Sequence, residues 1–104
     1  MWSTNYKSIF LVAVLFVVSL LNAQFGGGAG TEGNPYLITS AQDLYSLAGN
    51  VNVGTNYSGK YFLQTENIDI GYSPYNNGAG WIRIGNDMNG FQGFYDGNNK
   101  TIRG

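Results

Sequence analysis

The stretch Phe91-Gln92-Gly93-Phe94-Tyr95-Asp96-Gly97-Asn98-Asn99-Lys100-Thr101-Ile102 decides the fold. Phe91 to Tyr95 and Lys100 to Arg103 have strand-forming composition, and four turn-forming residues, Asp96 to Asn99, separate them. Asp-Gly between two strands is a strong hairpin signal, so one reading is a small antiparallel β-sandwich. The other reading is a parallel β-solenoid, in which Asp96-Gly97-Asn98-Asn99 is a turn bounding the strand before it. Alternation puts Phe94 on the face of Gln92 and Asp96, opposite Phe91 and Tyr95, so Phe94 is expected at the surface.

Upstream of this stretch, the pattern repeats in kind. Lys60 to Gln64, Asn67 to Ile70 and Trp81 to Ile84 are short runs between turn residues, and Tyr36 to Thr39 is a first strand limited by Asn34-Pro35. Ile68 and Ile70 share one face with Asp69 opposite; Ile82 and Ile84 share one face with Trp81 and Arg83 opposite. Between the first strand and the rest, Leu44, Leu47, Ala48 and Val51 form a helical stripe. Ser40 is its N-cap, Asp43 favours its positive end, and the spacing predicts a helix over 40–50 closing at Gly49 and Asn50. Gln24 to Gly33 has no periodicity and reads as a flexible Gly-rich lead-in. Its Gly28-x-Gly30-x-x-Gly33 lacks the strand before and the helix after that a dinucleotide fingerprint requires, because Pro35 follows.

The first 23 residues differ in kind. Met1 to Lys7 is weakly basic, Ile9 to Leu21 is an uncharged apolar run, and Asn22-Ala23 closes it, which is the layout of a secretory signal peptide cut before Gln24. A 13-residue helix covers about 20 Å, too little for a stable membrane span of roughly 30 Å. All 16 glycines of the 104-residue chain lie beyond this leader. The expected organisation is therefore signal peptide 1–23, lead-in 24–33 and one small unit over 34–104.

Composition narrows the chemistry. With 5 basic and 6 acidic residues there is no basic footprint for nucleic acid, and the absence of His and Cys removes imidazole catalysis, thiolate nucleophiles and the usual zinc sites. Among the acids of the second half, Asp69 and Asp96 sit where turn or strand geometry accounts for them. Asp87-Met88-Asn89-Gly90 lacks the ligands and closing Glu of a calcium loop. No catalytic, cofactor or metal residue is assigned. Tyr72, Tyr75, Trp81 and Phe94 are the candidate glycan or partner contacts, since flat aromatics beside Asn and Gly suit the apolar face of a pyranose.

Taken together, Gly30-Thr31, Asn34-Pro35-Tyr36-Leu37-Ile38, Asp43-Leu44-x-x-Leu47-Ala48, Gly59-Lys60-Tyr61-Phe62, Ile68-Asp69-Ile70, Trp81-x-x-Ile84-Gly85 and Phe91-x-Gly93-x-Tyr95-Asp96-Gly97-Asn98-x-x-Thr101-Ile102 resemble the N-terminal module of bacterial surface proteins with GLUG-type repeats. Asn67, Arg83 and Asn99 stand where that pattern more often has Asp, Pro and Gly. The resemblance implies a mainly β, right-handed parallel β-helix with a short capping helix, and an adhesin-like role. In such a solenoid Leu44, Leu47, Ala48 and Val51 would form a lid over the first coil. The expectation is a non-catalytic, exported capping module, truncated before its downstream coils, which are its partners. When isolated it should self-associate through the open end. The alternative is a fragment of a parallel β-helix polysaccharide lyase or glycoside hydrolase, which would require its acids to converge in one cleft.

Overall fold

The computed structural model describes residues 24–76, 78 and 80–104. The leader 1–23 lies outside the described residues. Strand β1 is Tyr36–Ile38, helix α1 is Ala41–Asn52, and strands β2 to β5 are Tyr61–Gln64, Ile68–Asp69, Phe94–Asp96 and Ile102–Arg103.

The helix starts where side-chain chemistry lets it. Ser40 has extended backbone angles and its hydroxyl accepts the Asp43 N–H at 3.2 Å, while the Asp43 carboxylate reaches back to accept both the Thr39 N–H and the Thr39 hydroxyl at 2.9 Å. One backbone donor inside the helix and one before the cap are thereby satisfied, together with the Thr39 hydroxyl. Ala41, Leu44, Leu47, Ala48 and Val51 are buried, and all but Ala48 cluster with Ile38, Phe62 and Ile68. The helix outruns its expected end at Asn50 because Val51, fully buried, belongs to the apolar stripe. It stops at Gly54, which takes φ 116°, a value open to glycine, as the Val53 and Gly54 N–H groups bond the Gly49 and Val51 carbonyls.

Every ladder between named strands is parallel. β1, β2 and β4 form one sheet in that order, with Tyr36 beside Phe62 and Phe62 beside Tyr95. β3 pairs with β5, Ile68 lying beside Ile102 and Asp69 beside Arg103. The chain thus passes β2 and β3, turns, and passes again as β4 and β5, with equivalent positions 33 residues apart at Phe62 and Tyr95 and 34 apart at Ile68 and Ile102. Asp96-Gly97, the hairpin turn of the sandwich reading, joins strands that lie in different sheets and do not pair with each other. Asn98 and Asn99 take φ 51° and 55° there, and Asp96 Oδ1 accepts the Asn98 N–H, so a four-residue corner forms in place of a hairpin.

Three sequence expectations are corrected. The run 81–84 is not a strand: Ile82 and Ile84 are exposed and Trp81 is the half-buried one. Gly80 and Gly85 bend the chain at positive φ, and Asn52 of the helix holds the loop, donating to the Arg83 carbonyl at 3.1 Å and accepting the Gly85 N–H at 2.8 Å. A side-chain amide thus takes the groups a neighbouring strand would need. Strand character in the run 91–95 begins only at Phe94, because Gly93 is pressed against the Lys60 and Tyr57 carbonyls and the Phe91 ring, where any Cβ would sit within about 3.0 Å. Third, the lead-in 24–33 is bonded to the fold. Gly26 donates to the Leu37 carbonyl, Leu37 donates to Gly27, and the Tyr61 N–H reaches the Gly30 carbonyl. Two of its glycines are demanded by contact: a Cβ on Gly28 would collide with the Pro35 carbonyl and one on Gly30 with the Tyr36 ring.

Candidate functional site

Two surfaces answer to the aromatic candidates. Tyr72, Tyr75 and Trp81 come together and recruit Tyr45 from the outer side of α1. Tyr75 lies 5.6 Å from Tyr45 and 5.4 Å from Tyr72, both edge-on, and 6.4 Å from Trp81. Tyr75 also donates its hydroxyl to Gln42 Oε1 at 3.1 Å. Edge-to-face packing sets the edge of one ring against the face of the next, which stabilises the loop after β3 on the helix. Phe94 is not part of this group. It is exposed, as alternation predicts, and stacks on Tyr61, its register neighbour, with centroids 4.6 Å apart and planes at 14°.

The second surface is an open apolar groove of about 560 Å³, lined by Leu44 and Leu47 of the helix together with Trp81, Phe91, Tyr95 and Ile102. It lies beside β4 and β5, the last strands of their two sheets. Ile68 is 3% exposed where Ile102 covers it, whereas Ile102, the equivalent residue one pass later, is 44% exposed. At the opposite end the outer edge of β1 is already bonded to Gly26 and Gly27. Phe25 from the same segment closes over Tyr36 and Phe62 at 5.3 and 5.4 Å. Among the described residues, one end of the stack is covered and the other is bare.

The joint between the two passes is polar and was not singled out in the sequence. Gln64 is fully buried; its amide Nε2 donates to the Glu66 and Thr101 carbonyls at 2.9 and 3.0 Å, and its Oε1 accepts the Tyr95 hydroxyl at 2.9 Å. Asn67 Oδ1 accepts the Thr101 N–H, and Asn98 Nδ2 donates to the Gln64 carbonyl. Burial pushes the Tyr95 hydroxyl up to about 12. Burial also raises Tyr57, against the opposing hydrogen bond from Asn50. The signal for Gln64 was available: in Tyr61–Gln64 strict alternation puts Gln64 on the same inward face as Phe62.

The acids do not converge. Asp43 caps α1, Asp69 Oδ1 accepts the Gly71 N–H and pairs loosely with Arg103 at 3.7 Å, and Asp96 serves its own corner. Among the described residues no group of three or more acids could hold a metal ion.

No family model matches the chain and no solved structure matches it. A similar protein is the "Putative Gly-rich membrane protein" of Evansella cellulosilytica, 33% identical over 103 residues that take in 89% of this chain and 11% of that protein. The chain therefore spans about a ninth of the length of the curated relative it matches. That name is compatible with a cell-surface location. Among the described residues, no helix is long and apolar enough to cross a membrane.

Proposed function

We propose that the chain is the non-catalytic N-terminal capping module of an exported, cell-surface, adhesin-like β-solenoid, as its resemblance to the N-terminal module of GLUG-type surface proteins implies. The observation that carries this reading is the asymmetry of the stack: a β1 edge closed by Gly26, Gly27 and Phe25, and a β4/β5 edge with Ile102 uncovered beside an apolar groove. Parallel ladders with equivalent positions 33 and 34 residues apart are what successive coils produce. A relative about nine times as long leaves room for further coils. The positions of Asp43, Asp69 and Asp96, each engaged in a local backbone bond, support a structural over a hydrolytic role.

The test compares this chain with the same chain continued by its natural downstream sequence. Seating of a further coil would slow amide exchange at Tyr95 and Ile102 and raise the melting temperature; unchanged exchange at both would refute the capping role. Assays on plant and bacterial polysaccharides for reducing ends and unsaturated products should show no turnover. Activity lost in Asp69→Asn or Asp96→Asn would restore the enzyme reading.

A further inference from the structure

The joint already present between β2–β3 and β4–β5 defines what can sit on the next edge, given the capping reading above. In that joint Tyr95 lies beside Phe62 and finds an acceptor for its hydroxyl in Gln64, while Asn67 receives the Thr101 N–H. One pass further on, the ladder positions change character. Leu63 pairs with Asp96, so Gly97 stands in line with Gln64; Ile68 pairs with Ile102, so Thr101 stands in line with Asn67. The open end repeats the apolar rungs, Tyr95 and Ile102, without repeating either amide.

We infer that the segment seated on β4 and β5 is a further coil carrying phenylalanine or an aliphatic residue over Tyr95 and a branched aliphatic over Ile102, and that Gly97 selects it against tyrosine. A tyrosine there would aim a buried hydroxyl at a position without a side chain, and a buried polar group left unpaired is costly. The rest of the seat favours a coil over other occupants. Phe94 N–H and the Thr101 and Arg103 carbonyls are already spent on the preceding pass, so by parallel-ladder alternation the backbone groups of Tyr95 and Ile102 face outward, ready for a strand in the same direction. The groove between them takes its inward side chains.

The chain can supply its own probe. A second copy of residues 71–104 is appended after Gly104, which sets the copied Tyr95 over the original one, and a sister version carries Tyr95→Phe in the copy only. Both should slow amide exchange at the original Tyr95 and Ile102, and the phenylalanine version should melt about 4–8 °C higher. Gly97→Gln in the original pass should reverse that order. Gly97 tolerates the change, since no atom lies within 4 Å of its Cβ position and its φ is ordinary. Equal melting of the two versions, or an order indifferent to Gly97→Gln, overturns the selectivity while leaving the coil seat standing. Unprotected Tyr95 and Ile102 amides in both versions overturn the seat itself and the inference with it.

Discussion

Gln64 shows how much one side chain can decide when it is dry. Its carboxamide meets two backbone carbonyls and one phenolic hydroxyl, so replacing it removes the acceptor of the Tyr95 hydroxyl while barely changing volume. Gln64→Met should cost about 2 kcal/mol, seen as a lower urea midpoint. Tyr95→Phe should cost much less in that background than alone, because the two residues share one bond. Tyr95 also sets a pH limit. Its folded pKa lies above the ordinary value of 10.0, so the native state holds the proton more tightly than the unfolded chain. Stability is then fully present below about pH 10 and is lost as pH rises toward about 12, with Tyr57 acting in the same direction. Thermal melts across that range should fall, and Tyr95→Phe should flatten most of the fall. A slope unchanged by that substitution would contradict the assignment.

At the level of elements, glycine positions separate demands of contact from demands of turn type. Gly93→Ala places a methyl about 3.0 Å from two carbonyls and should cost about 1–3 kcal/mol, whereas Gly97→Ala enters open space at ordinary φ and should stay within about 0.5 kcal/mol or stabilise slightly. Urea midpoints of the two variants make the comparison. The same distinction explains what could be read in advance. The helix, its cap and its buried stripe were legible because every determinant lies within 12 residues, and the exposure of Phe94 followed from period-two alternation alone. The run 81–84 was not legible, since its fate rests on Asn52, more than 30 residues away, whose amide binds the loop at Arg83 and Gly85. The quasi-repeat of Tyr61-Phe62 by Phe94-Tyr95 and of Ile68-Asp69 by Ile102-Arg103 was masked by one extra residue at the Asn98-Asn99 corner, which shifts the spacing from 33 to 34. Of the aromatic candidates, three converge as flat rings do in a packed loop, and the one that stands apart on the sheet surface was distinguishable by strand parity.

For the whole molecule, the two ends of the stack dictate how copies can meet. The β1 edge is occupied by backbone from 26–27 and capped by Phe25, so it has no room for a strand from another molecule. Among the described residues nothing covers the β4/β5 edge beside its apolar groove, and exposed edges of this kind recruit strands. Head-to-tail growth would need both ends to be receptive, and only one is. The remaining contact is bare end to bare end, an isologous pairing that closes after two copies. The chain without added coils should therefore form a concentration-dependent dimer that does not extend into fibres, and sedimentation equilibrium across a wide concentration range reads this directly. Ile102→Lys places a charge in the centre of the contact from both sides and should weaken the dimer by at least about tenfold, while the helical signal in circular dichroism persists because Ile102 is not part of the buried cluster around α1. Assemblies that keep growing with concentration would mean the β1 edge is also receptive. A dimer indifferent to Ile102→Lys would place the contact elsewhere, with the exposed Tyr61–Phe94 stack as the next surface to mutate.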